Sequence, residues 1–241
     1  TGMTLIQQTF ERYGKLVPPE NIYVITAKEY VGIVKKQLPG IPEENILAEP
    51  SRKNTAPCIA YIAFKLLKKD PKALMIAAPA DNLILETDEF ITTAKKALHF
   101  VDHINALATI GVKPVYPNTG YGYIQHETTE AAPGVFKVKT FTEKPNLELA
   151  KTFIASGDFL WNAGIFTWKV KNILAALEKH EPELYELFAA EKDKFNTPKE
   201  KQALENIYPQ CTNISIDFAV MEKADNVYLT PASFAWSDLG T

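Results

Sequence analysis

The chain has 241 residues, a formal charge of −3 and 46% hydrophobic residues. That is enough chain for one large α/β domain with a substantial core, and the mildly acidic, dispersed charge excludes a basic footprint for nucleic acid. Two cysteines, Cys58 and Cys211, exclude a disulfide scaffold, and the absence of any long apolar run excludes a membrane helix; the expected setting is cytoplasmic, with both thiols buried.

The amino-terminal stretch "TGMTLIQQTFERYG" runs from a polar start straight into an amphipathic helix, with no strand before it. "NIYVIT" (21–26) then predicts a buried strand, "KEYVGIVKKQL" (28–38) a helix and "NILAE" (45–49) a second strand. Residues 54–70 predict a helix with Asn54 or Thr55 as its N-cap and Pro57 in its first turn. "ALMIAAP" (73–79) is a third strand, 87–103 a third helix and "ALATIGV" (106–112) a fourth strand. Strands alternating with helices of this length imply right-handed crossovers and a mostly parallel, doubly wound sheet. Beyond residue 115 the rhythm changes: "VFKVKTFTEKP" alternates like a half-exposed strand, "WNAGIFTWKV" (161–170) reads as a strand, and helical segments follow to about 207. "SIDFAVMEKA" (215–224) reads as a helix and "NVYLTP" as a last strand. With no internal repeat or low-complexity linker, residues 1–241 form one mixed α/β domain whose second half is expected to cover the sheet's carboxyl edge.

Ligands of open α/β sheets bind beyond the carboxyl ends of the strands, and several unusual segments fall there. Asp81, in "PADN", is either a turn aspartate or a metal ligand, and the second reading needs another carboxylate to meet it. Asp238, in "WSDLG", is the candidate, and two carboxylates without Cys or His partners favour Mg²⁺ over zinc. In "NTGYGYI" the glycines serve either a tight turn, with Gly120 or Gly122 at positive φ, or a close approach of the backbone to a ligand at Gly122. Neither a dinucleotide-binding nor a P-loop glycine motif occurs, which argues against a nicotinamide dehydrogenase or a P-loop kinase.

"FTEKPN" places Glu143 beside Lys144, and as neighbours on a strand they are expected to point to opposite faces. They form a solvated edge, or else Glu143 meets sugar hydroxyls and Lys144 a phosphate. Asn162 in "WNAGIF" lies within an apolar strand and needs a specific partner, either backbone or a sugar hydroxyl. "EPSRKNTAP" gathers Glu49, Arg52, Asn54 and Thr55 at a helix N-terminus, which attracts anions, while Glu49 is suited to accept the N–H groups of a guanine edge.

As a set and in this order, "TLIQQTFER", "AEPSRKNTAP", "APADN", "NTGYGYI", "FTEKPN", "FLWNAGIFTW", "SIDFAVMEK" and "FAWSDLGT" resemble the mannose-1-phosphate guanylyltransferase family of sugar nucleotidyltransferases. The resemblance spans nearly the whole chain and implies a Rossmann-like nucleotidyltransferase fold. It also implies the reaction of GTP with mannose 1-phosphate to give GDP-mannose and pyrophosphate, without nucleic acid or membrane partners. By that resemblance Asp81 and Asp238 hold Mg²⁺; Glu49, Asn54 and Thr55 lie near guanine; Gly122, Glu143 and Asn162 face mannose; and Lys144 approaches phosphate. Asp81, Lys144 and Asp238 are thus the expected catalytic set.

Two departures from the family pattern stand out. Nothing before "TGMTLIQQT" matches the family's glycine-rich strand–loop with its arginine, nor the lysine-containing stretch that follows it, and no carboxy-terminal extension is read; the expectation is either an inactive fragment without that segment and its central first strand, or a competent enzyme whose segment lies outside this numbering. Asn82 stands where the family usually has histidine and is expected to shape the metal's surroundings rather than carry chemistry. The alternatives are transfer to another sugar 1-phosphate, and a catalytically inactive homologue that binds GDP-mannose. On assembly the sequence itself is silent, and a homodimer is left open.

Overall fold

The computed structural model describes residues 2–239, so the last two residues of "FAWSDLGT" lie outside the described residues. The chain opens with helix α1 (Leu5–Gly14), whose N-cap Thr4 forms a reciprocal capping box with Gln7. Strand β1 (Val24–Ala27), helix α2 (Val31–Gln37), strand β2 (Ile46–Glu49) and helix α3 (Thr55–Lys69) follow. Next come β3 (Leu74–Ala77), a short β4 (Asn82–Ile84), α4 (Thr87–His103) and β5 (Leu107–Val112). The second half contributes β6 (Tyr123–Ala132), β7 (Val135–Thr142), α5 (Leu147–Ser156) and β8 (Phe159–Lys169). It ends with α6 (Val170–His180), α7 (Pro182–Glu191), α8 (Glu200–Ile207), a π-helical turn (Asp217–Met221), β9 (Val227–Pro231) and β10 (Trp236–Asp238).

The mixed α/β class with flanking helices agrees with the sequence, but the expected mostly parallel sheet does not. The main sheet has six strands in the order β3-β8-β5-β9-β7-β6, with β8 also pairing β6. Among the described residues only β1–β2 and β5–β9 pair in parallel; the other six pairings are antiparallel. The βαβ rhythm is nevertheless real. Strands β3 and β5 both run antiparallel to β8 and therefore parallel to each other, but β8 enters between them from the second half of the chain. Local crossover spacing fixes strand direction, and it carries no information about which later strand fills the gap. For the same reason the second half does not merely cover the sheet: it supplies β6, β7, β8 and β9, most of it.

Strands β1 and β2 form a separate parallel pair, so β1 and β3 each have one partner among the described strands. Strand β5 is buried at all six positions, as a strand covered on both faces must be. The largest core cluster joins β5 and β8 to the buried stripe of α3, where Phe64 meets the rings of Tyr185, Phe188 and Phe195 at 5.4–6.4 Å between centroids. Stacking of aromatic edges and faces at this range adds to the area they bury. Helix α5 is absent from the sequence expectations, although its signals are plain: Asn146 accepts the Leu149 N–H at 2.9 Å and Gly157 ends the helix at φ +78°.

Candidate functional site

Residues expected to bind a ligand fall into three groups. At the end of β2, Glu49 accepts a hydrogen bond from the Tyr208 hydroxyl at 2.8 Å. Burial raises the Glu49 carboxyl above its ordinary range, and the Tyr208 bond opposes that rise. Asn54 is the N-cap of α3, held at φ +67° with its Oδ1 accepting the Thr55 N–H. Thr55 Oγ1 accepts the Ile216 N–H at 2.8 Å, and the next amide, Ala56 N–H, donates to Ile214 O. Arg52 is engaged elsewhere, lying over the exposed Tyr30 ring and reaching its hydroxyl and Glu29.

The second group is the carboxylate pair. Strand β4 pairs antiparallel with β10, with Asn82 directly opposite Asp238. Asp81 therefore stands one register step from Asp238, exposed at the point where the chain leaves β3. Asn82 is buried, and its Oδ1 accepts the Trp236 Nε1–H at 3.0 Å, bracing the two strands. Trp236 and Trp161 both pack edge-on to Tyr121, each at 5.1 Å, and the Tyr121 hydroxyl reaches Asp238 O. Among the described residues no group of three or more His, Cys, Asp or Glu side chains could hold a metal ion. An exposed Asp81 and a half-buried Asp238 nevertheless fit a hard cation that keeps waters and takes its remaining oxygens from a substrate's phosphates.

The third group gathers around Asn162. Its Oδ1 accepts from Gly164 N–H at 3.1 Å and lies 3.0 Å from Thr109 Oγ1, while its Nδ2 donates to Asp217 Oδ1 at 2.8 Å. A backbone N–H can only donate, so Gly164 fixes which way the amide faces. Gly164 is at φ +69° against Pro79, a conformation glycine permits inside this strand. Neither Gly120 nor Gly122 is at positive φ. Gly122 instead provides room: a Cβ there would run into Glu143 Oε2 and Asn162. That Oε2 is buried with no hydrogen-bond partner, and burial, then the charge of Asp217, push the Glu143 carboxyl up to about 7. Asp217 is raised as well, chiefly by burial.

The expectation that Glu143 and Lys144 diverge is overturned. Strand β7 ends at Thr142, and Lys144 takes φ +48° with its N–H on Tyr121 O, so alternation no longer applies. Its exposed ammonium lies 3.6 Å from Glu143 Oε1. The cysteines are both free; Cys211 is buried and Cys58 only half-buried, and burial raises both thiols, Cys211 to about 11.

Sequence reasoning assigned no role to Tyr208, Thr109, Asp217 or Glu222. The segment 208–222 binds Glu49 through Tyr208, Thr55 and Ala56 through Ile216 and Ile214, Asn162 through Asp217, and the Glu143 N–H through Glu222 Oε1 at 2.8 Å. The segment "SIDFAVMEK" was visible as a motif, but a helical reading sets its two acids far apart around the axis.

The sequence model of the family described as "Nucleotidyl transferase" matches residues 1–241. Mannose-1-phosphate guanylyltransferase of Escherichia coli K12 is 33% identical over 99% of this chain and 51% of its own length. Alginate biosynthesis protein AlgA of Pseudomonas syringae pv. tomato is 35% identical over 98% and 50%. This chain thus spans about half the length of these curated relatives. The crystal structure described as mannose-1-phosphate geranyltransferase from Thermus thermophilus superposes with a TM-score of 0.88 at 26% identity, over 99% of this chain and 67% of that one. A UDP-glucose pyrophosphorylase in complex with UDP-glucose shares the fold at TM-score 0.53 and 14% identity, covering 98% of this chain and 81% of that chain.

Proposed function

This chain belongs to the nucleotidyl transferase family, and from that premise we propose that it transfers a guanylyl group from GTP to mannose 1-phosphate, releasing pyrophosphate and giving GDP-mannose. The observation that carries the reading is the single segment 208–222, to which Glu49, Thr55, Asn162 and Glu143 are all hydrogen-bonded. A base, a sugar and the phosphates between them need such a common frame. Several of the curated relatives of matching sequence bear the mannose-1-phosphate guanylyltransferase name, which supports guanine and mannose as the pair.

A phosphate oxygen of the sugar phosphate attacks the α-phosphorus of GTP in line, and pyrophosphate leaves. Such a transfer needs alignment and charge neutralisation more than a covalent residue. Glu49, Asn54 and Thr55 hold the guanine end. Asn162 and Glu143 orient the sugar hydroxyls over Gly122, and the exposed Lys144 ammonium, on its short arm after β7, reaches the sugar's phosphate. Asp81 and Asp238 are the residues that would hold Mg²⁺, which supplies charge neutralisation on the phosphates.

Pyrophosphate release across a panel of nucleotides and sugar 1-phosphates tests this reading. GTP with mannose 1-phosphate is expected to be the preferred pair. Preference for another sugar overturns the specificity and keeps the reaction class, whereas binding of GDP-mannose without turnover would make the chain an inactive homologue.

A further inference from the structure

The turn Asp217–Met221 is π-helical, closed by the Glu222 N–H on Asp217 O at 3.0 Å. Turns of this kind are rare, carry a cost in packing and are concentrated at functional sites. What this one achieves is geometric. On an α-helix a residue five positions on lies about 140° around the axis, facing away. The extra residue of the π turn brings position five back over position one, so Asp217 and Glu222 project to the same side.

Both acids are used on that side. Asp217 Oδ1 accepts from Asn162 Nδ2, and Glu222 Oε1 accepts the Glu143 N–H, each at 2.8 Å. Asn162 has then committed its Oδ1 to Thr109 and Gly164 and one N–H to Asp217, leaving one N–H for a ligand. Glu143, held by its backbone, keeps a buried and unpartnered Oε2 against Gly122. The result is one fixed donor, from within β8, and one unpartnered carboxylate oxygen, from the residue that follows β7.

We propose that the π turn is a two-pronged clamp in which Asp217 and Glu222 act as positioning residues, setting the Asn162 amide and the Glu143 carboxylate at the spacing that recognises a pair of sugar hydroxyls. The ligand class rests on the nucleotidyl transfer proposed above; the clamp itself rests on the hydrogen bonds. Asp217 touches no reacting atom in this scheme. It acts through Asn162, so its removal changes sugar recognition and leaves the nucleotide end alone.

Amide exchange in the ligand-free protein tests the clamp apart from catalysis. In Asp217→Ala the Asn162 Nδ2 protons are expected to lose protection, and in Glu222→Ala the Glu143 N–H is expected to do so. Asp217→Asn retains an acceptor oxygen and is expected to restore most of the Asn162 protection. With substrates, Asp217→Ala is expected to raise the KM for mannose 1-phosphate about tenfold, the scale of one hydrogen bond to a charged group, with the KM for GTP within about twofold. Deletion of Phe218, which is 44% exposed, removes the extra residue and is expected to match the Asp217→Ala/Glu222→Ala double variant. Unchanged Asn162 exchange in Asp217→Ala, or equal rises in both KM values, would overturn the clamp. Absence of wild-type turnover would overturn the function proposed above, and the exchange results would still decide the clamp.

Discussion

The two acidic regions of this protein are built in opposite ways. Asp81 is exposed and Asp238 half-buried, on a short ladder between β4 and β10 braced by the Asn82–Trp236 bond. Glu143 and Asp217 are instead withdrawn from water, with Asn162 and Glu222 bonded around them and raised carboxyls in consequence. An exposed carboxylate such as Asp81 leaves room for waters and phosphates, which a hard cation needs. A partly buried, hydrogen-bonded network gives fixed geometry, which recognition of neutral hydroxyls needs, because a misplaced buried polar group is expensive. The difference teaches that the carboxylates of the β4–β10 ladder are left to be organised by whatever binds there, whereas the Glu143–Asn162 group is organised by the protein's own hydrogen bonds.

The largest effect expected from breaking that contrast is at the open end. Asp81→Ala should reduce turnover about a hundredfold or more, the scale of losing metal-assisted charge stabilisation. Its thermal midpoint should barely move, since an exposed side chain is lost. Unchanged turnover in a steady-state assay would remove Asp81 from the metal.

The buried end should instead show itself in stability against pH. Glu143 binds its proton more tightly folded than unfolded, its carboxyl rising from 4.5 to about 7. Between those values the folded state therefore holds more protons, and stability falls as pH rises, by up to about 3 kcal/mol, then levels off above about 7. Glu143→Gln should flatten that slope in urea titrations run from about pH 4.5 to 8; an identical slope would show that the carboxyl is not withdrawn from water. Gly122→Ala adds a methyl where Glu143 Oε2 and the Asn162 Cβ already sit. Overpacking there should cost about 1–3 kcal/mol and weaken sugar binding more than nucleotide binding. Equal weakening of both, measured by calorimetry, would detach Gly122 from the sugar end.

The smallest effect belongs to the brace. Asn82→Ala leaves the Trp236 Nε1–H without its acceptor and should lower stability by about 1 kcal/mol. Chemical denaturation would reveal it, and a neutral result would mean that the β4–β10 ladder does not depend on this bond.

Much of this was legible in the sequence because it is local. Alternating apolar runs and caps marked β1, β2, β3 and β5 with their helices, since side-chain period and N-terminal capping are properties of a few neighbouring residues. The set of motifs was equally visible, and it pointed to the nucleotidyl transferases, the family to which the chain belongs. What tertiary structure decided was every pairing between distant segments. Strand β8 enters between β3 and β5 because a long strand from the second half matches both edges, which no crossover spacing reports. Lys144 turns back toward Glu143 because the strand ends before them. Asp217 and Glu222 share a face because one turn is π and not α, a choice enforced by the partners they meet 55 and 79 residues away. The sequence by itself named the chemical groups; their orientation came from long-range hydrogen bonds, whose partners no local pattern encodes.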